Sequence, residues 1–131
     1  LMDKQGNLTK AEREMIVVTT SAANQCQYCV IAHGAILRIR AKNPLIADQV
    51  AINYRKADIT QRQKGMLDFA MKVSTRAYEV GDEDFEMLKQ HGFTEEDIWD
   101  IMAITAFFGM SNRIANVTSM SPNDEFYTLG R

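Results

Sequence analysis

Apolar residues recur along this chain at intervals of three and four, the period of a helix, and no run alternates as a half-buried strand would. Thr9-Lys10-Ala11-Glu12 has the form of a capping box, and Ala11, Met15, Val18 and Ala22 follow at helical spacing. A break at Asn24-Gln25 separates this first helix from a second, over about Cys26 to Ala41. Arg38, Arg40 and Lys42 close the second helix, where cations suit the negative end of the macrodipole. Asn43-Pro44 reads as an N-cap followed by proline in the first turn, opening a third helix to about Arg55. Thr60-Gln61-Arg62-Gln63 is another capping-box pattern, and its helix turns Met66, Leu67, Phe69, Ala70 and Val73 inward. Gly81-Asp82 begins a short helix that stops at Gly92, a residue suited to a left-handed cap. Thr94 caps the last helix, about Glu95 to Ser119. Ile98, Trp99, Ile101, Met102, Ile104, Phe107 and Phe108 make it apolar on more than one face, which predicts burial in the bundle or against another subunit. Ser121 to Arg131 reads as a turn-like tail, polar apart from Phe126, Tyr127 and Leu129. The pattern predicts one all-α domain over residues 1–131, a helical bundle without internal repeats.

Composition narrows the functions open to such a bundle. A chain of 131 residues with 46% hydrophobic content is about one domain's worth and can build a core. A net charge of −2 and a pI near 5.7 make no electrostatic case for nucleic acid. No basic block argues for a membrane surface, and the apolar stretch Ile101 to Met110 is too short to span a bilayer. No signal-peptide pattern opens the chain, although Leu1 is not an initiator methionine, so an upstream segment is expected. The two cysteines are too few for a disulfide scaffold, and their spacing suits redox or metal work in a reducing compartment, which predicts a cytoplasmic protein.

Those cysteines, Cys26 and Cys29, stand three apart, and His33 lies four beyond the second. On a helix all three project from one face. A thiolate, not a thiol, attacks peroxides and disulfides, so this chemistry needs a nearby base or a helix N-terminus. With Asn24 as N-cap, Cys26 would fall in the first turn, where unpaired amides and the macrodipole favour an anion. Cys29, one turn further in, would be less exposed. That favours Cys26 as the attacking sulfur and Cys29 as relay and resolver, an order that a direct Cys29–His33 contact would reverse. His33 can accept the Cys29 proton, directly or through water. Glu14, near the start of the preceding antiparallel helix, is the candidate partner for the other imidazole nitrogen. The expected relay runs Glu14, His33, Cys29, Cys26. Gly34 costs about 1 kcal/mol relative to alanine inside a helix. Close approach of a substrate or a neighbouring backbone would explain it, as would a tight helix crossing.

Each residue also has an ordinary reading. Free cysteines are common packing residues. Glu14 can pair with Lys10 at i,i+4, and His91 suits the end of its helix. Tyr28 orients a substrate or merely packs, and Trp99, Met102, Phe107 and Phe108 belong to core or interface. Two rival functions follow. His33 and Glu14 alone could serve a non-redox enzyme, by lactone decarboxylation or proton transfer. Alternatively, Cys26, Cys29 and His33 could hold zinc in a non-catalytic module, with a fourth ligand from His91 or a neighbouring subunit.

Glu14, eleven residues, Cys26-x-x-Cys29, three residues and His33 together resemble the alkylhydroperoxidase D-like branch of the carboxymuconolactone decarboxylase superfamily, whose pattern has that spacing. Ala11-Glu12-Arg13-Glu14, Ser21-Ala22-Ala23-Asn24, Ala32-His33-Gly34, Leu67-Asp68-Phe69-Ala70, Gly92-Phe93-Thr94, Asn112-Arg113 and the ending Phe126-Tyr127-Thr128-Leu129-Gly130-Arg131 are similar to its peroxidase-related subgroup. The resemblance implies an all-helical fold around a helical hairpin, assembled as homo-trimers, dimers or hexamers, with further helices usual upstream. It also implies a thiol peroxidase without haem, flavin or metal. Glu14 and His33 would be its proton relay, and Cys26 and Cys29 would cycle between dithiol and disulfide. The expected partners are a hydroperoxide and an external dithiol reductant, such as a lipoyl group or a thioredoxin-like protein. One position departs from alkyl hydroperoxidase D itself, which has a histidine immediately before the second cysteine where this chain has Tyr28. Tyrosine is protonated near neutral pH and cannot replace that base.

Overall fold

Three capping boxes set the starts of three helices in the computed structural model, which describes residues 1–131. Thr9, Thr60 and Thr94 each accept the N3 backbone N–H, and Glu12, Gln63 and Asp97 reach back to the capping residue's own N–H. The elements are α1 (Lys10–Ala23), α2 (Gln27–Ala41), α3 (Ile46–Asn53), α4 (Gln61–Arg76), α5 (Asp82–Gln90) and α6 (Glu95–Val117), with 3₁₀ turns at Tyr54–Lys56, Ala77–Glu79 and Asp124–Tyr127. No strand is present. Gly92 takes the left-handed conformation, φ +88°, that ends α5. No helix is long and apolar enough to cross a membrane.

α1 is the central element, packed by α2, α3, α4 and α6. Residues 12–21 are all buried, a wider burial than the Met15–Val18–Ala22 stripe predicts. The excess takes in Ile16 and Val17, three small polar residues, and charged groups that have partners. Glu12 accepts from Arg62 at 2.6 Å, and Arg13 Nη1 donates to Asp100 on α6 at 3.2 Å. Arg13 Nε has no partner, so Asp100 is the main compensation for a fully buried guanidinium. Asp100→Ala is expected to lower the unfolding free energy by about 3 kcal/mol, because it strands that charge. A urea titration that leaves the midpoint unmoved would contradict this.

Three boundaries differ from those the sequence predicts. α3 begins at Ile46 rather than Pro44, because Asn43 Oδ1 accepts the Leu45 N–H at 3.0 Å and makes a turn first. It ends at Asn53, and the chain tightens into a 3₁₀ turn before Ala57. α6 ends at Val117, since Ser119 adopts φ +55°. Arg38 stands in the last turn of α2 as expected, but it does more than suit the macrodipole. It is buried, and it donates to the carbonyls of Leu129 at 2.8 Å and Phe126 at 2.9 Å, holding the tail against α2. On α6, Ile98, Ile101, Ile104 and Phe108 join the core, whereas Trp99 is 67% exposed and Phe107 50%.

Candidate active site

The α1–α2 turn positions the dithiol. α1 closes with Asn24 as its C-cap, and Gln25 takes φ +54°. Cys26 N–H then donates to Ser21 O at 3.0 Å and Gln25 N–H to Ala22 O at 3.0 Å, the pair of bonds that defines a Schellman motif. Asn24 is therefore not the N-cap of α2, as its side-chain chemistry predicts. The Schellman geometry needs it to end α1, and Cys26 itself caps α2. Cys26 Sγ accepts the Cys29 N–H at 3.3 Å. The sulfur thus sits at the positive end of the helix, at the cap rather than within the first turn.

Both cysteines are free thiols and both are buried, Cys26 at 1% exposure and Cys29 at 3%. The expectation that Cys26 is the more exposed does not hold, because α6 covers the turn with Ala115. Cys29, not Cys26, lines a cavity of about 200 Å3 between α2 and α6. His33 and Tyr28 share its α2 wall, and Phe108, Ser111, Ile114 and Ala115 supply the α6 wall, with Met120 at its edge. Burial, then hydrogen bonding with Cys26, pushes the Cys29 thiol up to about 11, while Asn112 and Ser21 pull it the other way.

His33 Nδ1 and Glu14 Oε2 are 2.7 Å apart, joining α2 to α1 across the hairpin. An ionised carboxylate can only accept, so Nδ1 carries the hydrogen and Nε2 keeps the lone pair that can take a proton. Glu14 is buried, so little water competes for this contact. Phe108 stands edge-on to the imidazole, centroids 4.9 Å apart, and fixes the ring from the other side.

Other residues fall outside this arrangement. Gly34 faces α3, where an added Cβ would meet Ala47 Cβ at 3.5 Å, so a helix crossing explains it rather than a substrate. His91 is the C-cap of α5 and lies against Gly65 of α4. No three His, Cys, Asp or Glu side chains group as metal ligands, so Cys26, Cys29 and His33 are not brought together as a zinc set, and His91 lies at the end of α5 away from them. A larger cavity of about 320 Å3, bordered by Thr19, Val50, Tyr54 and Met71, has no cysteine or histidine in its wall.

Sequence reasoning assigned no role to Ser21 or Asn112. Asn112 is fully buried on the α6 face that carries Phe108 and Ala115, and its Nδ2 donates to Ser21 Oγ at 2.9 Å. Asn24 Nδ2 donates to Asn112 Oδ1 at 3.0 Å. The available signal was an asparagine four residues after Phe108, at a buried register of an otherwise apolar helix.

Comparison with known proteins gives a consistent set. The family model of the carboxymuconolactone decarboxylase family matches residues 1–52. No curated protein matches. One similar solved structure is an alkylhydroperoxidase AhpD core, an uncharacterized peroxidase-related protein from Ralstonia eutropha JMP134. It is 69% identical with a TM-score of 0.99, over 100% of this chain and 69% of that one. Another, an uncharacterized peroxidase-related protein from Silicibacter sp. TM1040, is 44% identical with a TM-score of 0.96, over 99% of this chain and 68% of that one. A protein of unknown function from Agrobacterium tumefaciens shares the fold at 22% identity and a TM-score of 0.75, over 89% of this chain and 80% of that one.

Proposed function

The chain belongs to the carboxymuconolactone decarboxylase family, in its alkylhydroperoxidase D-like, peroxidase-related branch, and on that premise we propose that it is a thiol-dependent peroxidase. The observation that carries this reading is a single small apolar cavity bordered by both Cys29 and His33, with His33 locked on buried Glu14 at 2.7 Å.

In this cycle a hydroperoxide ROOH enters beside Cys29. His33 Nε2 takes the thiol proton, and Glu14 stabilises the imidazolium that forms. The Cys29 thiolate attacks the terminal oxygen. An S–O bond forms, the O–O bond breaks, and the leaving alkoxide recovers the proton from His33 as ROH. Cys29 is now a sulfenic acid. The Cys26 sulfur attacks it, an S–S bond forms, and the hydroxyl leaves as water. An external dithiol, a lipoyl group or a thioredoxin-like protein, then reduces the disulfide by exchange. The net change is ROOH plus a dithiol to ROH, water and a disulfide.

Cys29 takes the attacking role here, in place of Cys26, because it is the sulfur that meets the cavity. Tyr28 contributes wall, and its apolar neighbours Ile114 and Met120 favour an organic tail on the peroxide. The cycle suits a reducing cytoplasm, where partner dithiols are regenerated. The outward apolar residues of α6, Trp99 and Phe107 among them, support self-association with further copies of the chain. Hydroperoxide-dependent consumption of dihydrolipoamide tests the function, with hydrogen peroxide compared against an organic hydroperoxide. A steady rate is expected, faster with the organic peroxide. No rate with lipoyl, thioredoxin-like or small-molecule dithiols would overturn the reading.

A further inference from the structure

The residues around the Cys29 cavity stand on its two helical walls, α2 and α6, with one exception: Met120 comes from the chain beyond α6. Cys29, Phe108 and Ala115 are buried and make the floor, whereas Ile114 and Met120 are half-exposed and stand at the opening. The end of α6 fixes where Met120 lies. Met120 N–H donates to Ala115 O at 2.9 Å and Ser119 N–H to Asn116 O at 3.2 Å, with Ser119 at φ +55°, a second Schellman motif. An apolar residue at the Met120 position of this motif packs back on the last turns of its helix, which here carry Ile114 and Ala115. Just beyond it Pro122 is buried, and Arg38 holds the tail on α2 through the carbonyls of Phe126 and Leu129. Gln27 Nε2 adds a bond to the Tyr127 hydroxyl at 3.0 Å, one residue before Tyr28. The segment that carries Met120 thus runs from one wall of the cavity to the other and is anchored on both.

We propose that Met120 sets the width of the cavity mouth and so selects hydroperoxides by bulk, favouring slender, unbranched tails over tertiary or aryl ones. A methionine side chain is unbranched, with three rotatable bonds, and can lie along a narrow chain. Ile114, the other half-exposed residue at the opening, is β-branched on a helix, where one χ1 rotamer dominates, so it yields less. Because the backbone of Met120 is held at both ends of its segment, side-chain volume at position 120 translates directly into width. A tail that branches next to the peroxide oxygens meets both residues at once. The selection acts on approach to Cys29, before any proton moves, and is separate from the His33–Glu14 relay. Its role in choosing a substrate rests on the peroxidase reading, but its control of access to Cys29 does not.

The test offers Cys29 one chemistry in two sizes. It uses Cys26→Ser protein, in which Cys29 is the sole thiol and serine keeps a good N-cap. Labelling rates with N-methylmaleimide and N-phenylmaleimide are measured, and their ratio is read, so that any change in sulfur reactivity cancels. Adding Met120→Ala is expected to raise the phenyl-to-methyl ratio about tenfold, the scale of relieving a modest steric clash. Met120→Phe should lower it, and either variant decides the matter if the other does not fold. Met110→Ala is the control, since Met110 is 52% exposed on α6 against 47% for Met120 but lies outside the cavity, and its ratio should stay at the parent value. With both cysteines present, the ratio of kcat/KM for cumene hydroperoxide to that for ethyl hydroperoxide should move in the same directions. A maleimide ratio unmoved by Met120→Ala, or moved equally by Met110→Ala, would overturn the proposal. So would an unmoved peroxide ratio in an active enzyme. Absence of any peroxide turnover would instead end the peroxidase reading, and the maleimide ratio would still decide whether Met120 controls access to Cys29.

Discussion

Cys29→Ser is expected to abolish both peroxide turnover and the first oxidation event, whereas Cys26→Ser should abolish turnover but still consume about one equivalent of peroxide. The asymmetry follows from the geometry. Cys29 borders the cavity with His33, so it is the sulfur that a bound hydroperoxide meets. Cys26 is buried under Ala115 and takes no part in that wall, so its work is to resolve the sulfenic acid. Without Cys26 the sulfenic acid persists, and a dimedone-type probe should label Cys29 stoichiometrically after one exposure to peroxide. Serine at position 26 keeps the N-cap, which separates loss of the sulfur from loss of the helix start. Undiminished turnover in either variant would end the two-cysteine cycle. Labelling confined to Cys26 in the Cys29→Ser protein would reverse the order of the sulfurs.

His33→Ala should lower kcat/KM by about 10²–10⁴, the usual worth of a positioned general base. The demand on this base is large, because burial and Cys26 hold the Cys29 thiol near 11, far above neutral pH. In the variant, solvent must remove that proton. The residual rate should then climb with pH through the neutral and alkaline range, the thiolate fraction growing about tenfold per pH unit below the Cys29 midpoint. Wild-type activity should vary less steeply, since His33 carries the proton within the site. Glu14→Gln keeps the shape but removes the charge behind the imidazole, and an intermediate loss of about tenfold is expected, because a charge-assisted bond becomes a neutral one. Parallel pH profiles for His33→Ala and wild type would contradict a proton relay.

Much of the fold is encoded locally. The threonines at 9, 60 and 94 announce their helices because a cap is settled by residues three apart, and Gly92 ends α5 because only its own backbone freedom is needed. The common face of Cys26, Cys29 and His33 likewise follows from helical periodicity alone. The assignment of Asn24 to the wrong helix shows where local reading stops. Asn24 suits either end, and the Schellman bonds of Cys26 and Gln25 decide between them. The burial of Arg38 is not legible locally, because its partners, the carbonyls of Phe126 and Leu129, lie about 90 positions away along the chain.

By itself, then, the sequence determined an all-helical chain with a dithiol and an imidazole on one face of one helix, since those properties depend on neighbours a single turn apart. Only the tertiary structure decided which sulfur meets the cavity, that Glu14 closes on His33, and that Asn112 reaches Ser21 across 91 positions. Such contacts come from the packing of α1, α2 and α6 against one another. A periodic pattern states which face of a helix is buried, but not which residue of another helix it will meet.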